Sequence, residues 1–244
     1  MASSALTDCK LYVASFDLSG KMNALALTNS AEMKDGTTFG NTTRINKAGL
    51  KSIVAQHEGL WDANGIDQPD DTFFARIGTA NVPVTISPQT GADGEIAYIF
   101  RAVHSEYAPG AQVGELFAFS VTMEGDDGAP LVRATVLKPT GATIVTGTGT
   151  GRELGAVSAT QRLYGSLHVI AVTGTNPTLD VIVQSDDASN FPSPTTRLTY
   201  SQKTTIASDW QSAVGAITDT WYRVSFTIGG TNPSFSFVVA VGIK

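Results

Sequence analysis

Between Asp17 and Asp62 the chain carries two runs that alternate like strands, and a long polar connection separates them. Asp17-Leu18-Ser19-Gly20 opens the stretch as a turn, and Leu25 and Leu27 share one face of the first run. In the second run Ser52, Val54, Gln56 and Glu58 alternate with Ile53, Ala55 and His57. A period of two is the side-chain spacing of a half-buried sheet, so this part of the chain is constrained to β structure. The connection, Glu32-Met33-Lys34-Asp35-Gly36-Thr37-Thr38-Phe39-Gly40-Asn41-Thr42-Thr43-Arg44, is free of catalytic residue types. A connection of that length inside a compact domain is either functional or disordered.

The rest of the chain extends the all-β expectation. Glycine occurs 24 times beside abundant Thr, Ser and Val, which favours short strands joined by tight turns. At 244 residues, 42% hydrophobic and 16% charged, the chain reads as globular and long enough for one large β domain or two ordinary ones. Residues 1–10 read as an arm. Strands are expected at Leu11–Phe16, Val82–Ile86, Ile96–His104, Leu116–Thr122 and Leu131–Leu137. One short helix is expected, capped by Asp70 after Pro69, with Phe73, Phe74 and Ile77 on one side and Gly78 at its end.

The apolar pattern breaks at residues 139–154, where Pro139-Thr140-Gly141-Ala142 and Thr146-Gly147-Thr148-Gly149-Thr150-Gly151 read as a linker, with a twisted edge strand as the alternative. Beyond it, Gly174-Thr175-Asn176-Pro177 and Gly230-Thr231-Asn232-Pro233 echo one another. Each is expected to close a hairpin, the first between Leu163–Thr173 and Leu179–Gln184, the second between Trp221–Ile228 and Phe235–Val241. With strands at Thr195–Ser201 and near Ala216–Thr218, these suffice for a small β-sandwich.

Charge and composition narrow the function classes. Sixteen basic against 22 acidic residues give a net charge of -6, which argues against a surface that grips a phosphate backbone. DNA remains admissible as a passing neighbour, which an acidic passage would repel. Cys9 is the only cysteine, so no intrachain disulfide is expected. No run approaches the roughly 20 apolar residues of a membrane span. Met1-Ala2-Ser3-Ser4-Ala5 lacks the basic head of a signal peptide, so assembly in a cytoplasm is expected.

No reacting constellation is visible. His57, His104 and His168 fall on expected strands without a partner at a metal-motif spacing, so structural roles are expected and no metal or cofactor. The acid pairs Asp70-Asp71, Asp126-Asp127 and Asp186-Asp187 sit at turns, where capping of backbone groups is the favoured use. Ser185, Ser189 and Asn190 add oxygens around Asp186 and Asp187, which makes that loop the better calcium alternative. Gly147 to Gly151 lacks the Gly-Lys-Ser or Gly-Lys-Thr of a phosphate loop. Trp221 begins an alternating strand and reads as core; Trp210, among polar residues, is the surface candidate and joins Asp186 and Asp187 as a possible adhesion set. The chain is read as a non-enzyme.

Four features then resemble a known family: the Asp17-Leu18-Ser19-Gly20 start, a strand ending near Leu27-Thr28-Asn29-Ser30, Asp35-Gly36-Thr37-Thr38-Phe39-Gly40, and Ala48-Gly49-Leu50-Lys51 leading into a run that closes at Gly59-Leu60-Trp61-Asp62. In this order and spacing they are similar to the major tail tube proteins of long-tailed bacteriophages, over roughly residues 11–138. Where family members carry an acidic residue after Thr-Thr-Phe-Gly, this chain has Asn41, and where they often carry Gly-Leu-Lys-Asp, Ser52 follows Lys51 here.

The resemblance implies a tail-tube-like β-sandwich or partial barrel at residues 1–138. An added smaller Ig-like or jelly-roll-like β-sandwich at 155–244 would stand on the tube exterior, so that a chain ending near Lys138 still forms rings. It further implies a structural virion protein that associates with itself as hexameric rings, stacks into a tail tube, meets other tail proteins and conducts genomic DNA without binding it. The loop residues Lys34, Asp35, Thr38, Phe39, Arg44 and Lys47 then become candidates for contact between rings, ordered only when one ring meets another. A capsid decoration protein, which would form trimers, and a receptor- or glycan-binding tail component are the competing readings.

Overall fold

The computed structural model describes residues 7–63, 65 and 68–244. Its strands are β1 (Lys10–Val13), β2 (Phe16–Asp17), β3 (Met22–Asp35), β4 (Asn46–Leu60), β5 (Val82–Ser87), β6 (Ile96–Gly110), β7 (Ala118–Gly125), β8 (Val132–Lys138), β9 (Ala142–Thr143), β10 (Gly147–Thr148), β11 (Arg152–Glu153), β12 (Arg162–Asp186), β13 (Thr195–Thr199), β14 (Ala207–Val214) and β15 (Trp221–Ile243). Among the described residues a single α-helix, α1 (Pro69–Phe74), and a 3-10 turn at Ser19–Lys21 complete the elements. The all-β class with one short helix is therefore what the chain adopts.

The chain divides into two compact units, and the division is not the one expected. Unit 1 combines residues 1–20, 82–101 and 132–244, whereas unit 2 combines 21–81 and 102–131. The expected boundary at 139–154 thus lies inside unit 1. In that segment β9, β10 and β11 each pair with β15, so it is an interrupted edge strand and not a linker. The end of the chain is bound into the first unit: Val239 to Gly242 of β15 pair with Ala134 to Lys138 of β8. A chain ending near Lys138 would strip β8 of that ladder, so the expected separable outer domain does not match the fold.

Unit 1 follows the strand order β13-β12-β15-β8-β6-β5-β1-β2. Its packing follows from the unbroken apolar run at the end of β15. Phe237, Val239 and Val241 enter one apolar cluster with Leu163, Leu167 and Val183, while Val238 and Ala240 enter another with Tyr12, Ile99 and Val132. A strand buried on both faces reads as a continuous apolar run, and this one is. Buried Phe and Val side chains of this kind contribute about 1.5–3 kcal/mol each.

A buried polar chain ties the early and late segments of unit 1 together. His168 Nδ1 lies 2.5 Å from the Ala14 carbonyl oxygen and its Nε2 lies 2.7 Å from Thr85 Oγ1. Thr85 Oγ1 lies 2.8 Å from Ser166 Oγ. Since the Ala14 carbonyl can only accept, Nδ1 carries the proton and Nε2 accepts from the Thr85 hydroxyl. Burial pushes the imidazole down to about 4, although the Ala14 carbonyl favours its charged form. The expected structural role of His168 is what the geometry assigns.

The expected hairpins at the two Gly-Thr-Asn-Pro sequences are absent. β12 and β15 run straight through them as one antiparallel pair of 25 and 23 residues, with Thr175 opposite Thr231. Gly174 and Gly230 adopt φ of 116° and 113°, and Asn176 and Asn232 adopt 49° and 48°, the left-handed values that a hairpin turn would also need. Here they form two facing bulges where the register shifts on both sides of Thr175. A Cβ on Gly174 would come within 2.8 Å of the Asn232 carbonyl oxygen, and one on Gly230 within 2.7 Å of that of Asn176.

Unit 2 has the order β3-β4-β7-β6, using the second half of β6. Ile53, Ala55 and His57 of β4 are buried with Phe119, Val121 and Met123 of β7, and α1 inserts Phe73 among them. The helix departs from expectation. Pro69 takes its first turn, Gln68 is the N-cap without a side-chain cap bond, and Asp70 instead accepts a 2.7 Å hydrogen bond from Tyr107 Oη. Burial and that carboxylate raise the Tyr107 phenol. Of the expected apolar stripe Phe73 alone is buried, beside Pro69 and Thr72; Phe74 and Ile77 are exposed, because a six-residue helix is too short to present a stripe.

Candidate functional site

The most unusual surface is the ribbon formed by β3 and β4. Its inner half has one packed face, with Leu25 opposite His57 and Leu27 opposite Ala55. From Ser30 and Ser52 outward the pairing continues to Asp35 opposite Asn46, yet neither face meets a core. Among the described residues β3 pairs with β4 alone, so its outer edge is open over 14 residues, about 46 Å at the rise of an extended strand. A two-stranded ribbon is marginal by itself, and an open edge is a template for another strand.

The strands extend further than the sequence pattern showed, leaving residues 36–45 as the turn. That turn is closed by its own bonds. Gly36 N donates to the Ile45 carbonyl at 2.8 Å, Ile45 N donates to Thr37 Oγ1 at 2.9 Å, and Asn41 Nδ2 donates to Thr38 Oγ1 at 2.9 Å. Asp35 accepts from Thr37 N at 2.9 Å and from Arg44 Nε at 3.1 Å. These bonds, those from Thr37 foremost, lower the Asp35 carboxyl below its usual range. All of these bonds lie within a single chain.

Lys34, Asp35, Thr38, Phe39, Arg44 and Lys47 are all exposed and all lie at this outer end. Phe39 is fully exposed, and Met33, Ile45 and Leu50 add apolar surface. Lys34 stands directly opposite Lys47, a like-charge pair that weakens the ribbon. Residues 30–51 hold Lys34, Arg44, Lys47 and Lys51 against Glu32 and Asp35, so the outer ribbon is +4 − 2 = +2 in a chain of net charge -6.

The other end of β4 carries a second apolar group that the sequence reading did not single out. Trp61 N donates to the Phe117 carbonyl at 2.9 Å, and the two rings meet edge to face at 5.4 Å. Leu60 and Phe117 are exposed, as are Val113 and Leu116 in the segment that leads to Phe117. Unit 2 therefore presents apolar side chains at both ends of one strand, beyond Asn46 and beyond Leu60. Their signal in the sequence was a Leu-Trp pair and a Leu-Phe pair standing where polar turn residues are usual.

No protein-family model matches the chain, and no curated protein matches it. Solved structures similar to it include the SPP1 Dit protein, described as a hub adsorption apparatus in phages infecting Gram-positive bacteria. That likeness is at 10% identity and a TM-score of 0.39, over 98% of this chain and 100% of that one. Another is the baseplate of the anti-feeding prophage, at 11% identity and a TM-score of 0.41, over 54% of this chain and 97% of that one. A third is the virion of a gene transfer agent, at 11% identity and a TM-score of 0.36, over 46% and 84%.

The proposed adhesion residues do not converge. Asp186 is 2% exposed, and its carboxylate accepts from Ala188 N at 3.1 Å and Ser193 N at 2.9 Å, the turn-capping use. Asp187 is exposed. Trp210 lies on β14 opposite Ser166, 186 − 166 = 20 positions along β12 from Asp186, and packs half-buried against Tyr164 at 5.8 Å. β14 escaped the sequence reading because Ala207 to Ser212 of this strand are uniformly half-buried, leaving no alternation to detect.

Proposed function

We propose that the chain is a structural subunit of a phage tail, that unit 2 closes it into rings with further copies, and that the rings stack as a tube. The observation that carries this reading is the β3–β4 ribbon, an open 14-residue edge whose outer end exposes Met33, Phe39, Ile45 and Leu50. An edge that pairs with the neighbouring copy removes its own unpaired groups, and a heterologous contact repeated by rotation closes a ring. The apolar groups at opposite ends of β4 supply unlike surfaces, as head-to-tail stacking requires. The outer ribbon at +2 also complements the remaining chain at -6 − 2 = -8. The motif resemblance supports the tail assignment, six subunits per ring, and DNA as the traveller through the lumen.

Native mass spectrometry and negative-stain microscopy of the full chain test this reading. Six-subunit rings that stack into tubes are expected. Single rings without stacking would retain the ring and remove the tube, while trimers would replace both with a shell-decorating role. Deleting Lys34 to Asn41 should leave rings and abolish stacking; tubes of normal length from that variant would overturn the role of the ribbon tip.

A further inference from the structure

The interior of unit 2 holds two histidines that the assembly reading does not use. His57 on β4 and His104 on β6 are each 1% exposed, and none of their four ring nitrogens has a hydrogen-bond partner. The ladder puts both on the face covered by α1, since His57 is opposite Val121 and His104 is opposite Met123, two residues further along β7. Phe73 of α1 packs against both imidazoles, with ring centroids 4.9 Å from His57 and 5.7 Å from His104. A buried polar group without a partner is costly, so an orphaned pair under one side chain is a weak point in the packing.

The cover is a helix of six residues. Tyr107 Oη reaches Asp70 at 2.7 Å, Asp71 accepts from Gly65 N at 3.2 Å, and Gly78 N donates to the His104 carbonyl at 3.0 Å. Around the pair β3 contributes Leu25 and Leu27, and β7 contributes Phe119, Val121 and Met123, none of them titratable. The charged and titratable groups nearby are Tyr107 on β6, Asp70 and Asp71 on α1, and Arg76 just beyond it. Both carboxylates are already engaged. Burial foremost, then His104, pushes His57 down to about 3; burial, then Arg76, pushes His104 down to about 4.

We propose that α1 is an acid-released latch, which lifts from the sheet of unit 2 when His57 and His104 take up protons and so exposes Phe73. The sign follows from linkage. Above pH 6.5 both histidines are neutral whether the latch is closed or open, and closure is fully favoured. As pH falls from 6.5 toward the depressed values, the open state binds protons that the closed state refuses, and each histidine multiplies the opening constant by about tenfold per pH unit. Two histidines under one cover give about a hundredfold. Unit 1 provides the internal contrast, because its single buried histidine, His168, has partners on both ring nitrogens.

Hydrogen exchange of the full chain, read by mass spectrometry from pH 7.5 to 4.5 and corrected for intrinsic rates, tests the latch. Opening of peptides covering residues 68–79 is expected to rise by about a hundredfold per unit below pH 6.5, and by no more than about tenfold in β12 and β15. The double variant His57→Leu, His104→Leu should flatten the first slope and leave the second. A flat wild-type profile at 68–79 would overturn the latch, and so would a double variant that keeps the wild-type slope. Should that variant not fold, an NMR titration of the wild-type imidazoles decides the matter. Rings that stay neutral down to pH 4.5 in the closed state uphold the proposal, and one that titrates near 6.5 there refutes it.

Discussion

The two longest strand pairs of the molecule use the same backbone bonds to opposite ends. β12 and β15, of 25 and 23 residues, have apolar clusters to pack on and further strands alongside both. β3 and β4, of 14 and 15 residues, leave one edge open and, in their outer half, both faces bare. What separates them is side-chain pattern. Phe235 to Val241 fills every position with an apolar or small residue, whereas Ser30 to Lys51 places Lys, Glu, Asp and Thr beside a few unsupported apolar groups. A ladder completed within the chain builds stability, and a ladder left open builds association.

Substitutions can break this contrast, and the largest effect is expected in the closed pair. Phe237→Ala should cost about 3–5 kcal/mol in urea unfolding, because Phe237 is fully buried and the cavity cannot collapse between paired strands. Trp210 and Trp221 fluorescence would report it; a loss below 1 kcal/mol would mean that the β12–β15 core is looser than its packing. Next comes His168→Leu, which strands the Ala14 carbonyl, leaves the Thr85 hydroxyl with Ser166 alone, and should cost about 1–3 kcal/mol by the same measurement.

In unit 2, Tyr107→Phe removes the bond to Asp70 and should lower the stability of the α1 cover by about 0.5–1.5 kcal/mol, read as faster hydrogen exchange at residues 68–79. Lys47→Glu converts the like-charge pair with Lys34 into an opposite one. It should stabilise the ribbon by about 0.2–1 kcal/mol at low salt, with the gain shrinking as salt is added. Phe39→Ser should move monomer stability by less than about 0.5 kcal/mol, since the ring touches nothing it would lose. Sedimentation should show that same variant impaired in assembly; unimpaired assembly would deprive the exposed ring of its role.

Much of the fold was legible locally. β5 matches the expected Val82–Ile86 almost to the residue, and the Asp17-Leu18-Ser19-Gly20 turn is present, with Asp17 accepting from Ser19 N at 3.0 Å. Alternation betrays a strand because it records which face is buried. It does not record which strand lies alongside, so neither the pairing of β15 with β8 nor the interleaved make-up of unit 1 could be read. Gly-Thr-Asn-Pro failed for a related reason: a hairpin and a bulge ask for the same backbone angles, and only a distant partner decides between them. At the candidate site the residues were legible and their support was not. Lys34 to Lys47 stood out as polar and long, while the bonds that organise residues 36–45 join groups no pattern aligns.

The facing bulges at Thr175 and Thr231 bear on how β12 and β15 find their alignment. Two long antiparallel strands of similar residues can slide by two positions without turning any side chain to the wrong face. Here a slide would carry Gly174 and Gly230 away from the carbonyls they alone can approach, and would push Asn176 and Pro177 into regular ladder positions that suit neither. The repeated tetrapeptide therefore acts as a detent at mid-span. It admits one alignment and fixes from the centre outward where both ends of the pair must stop.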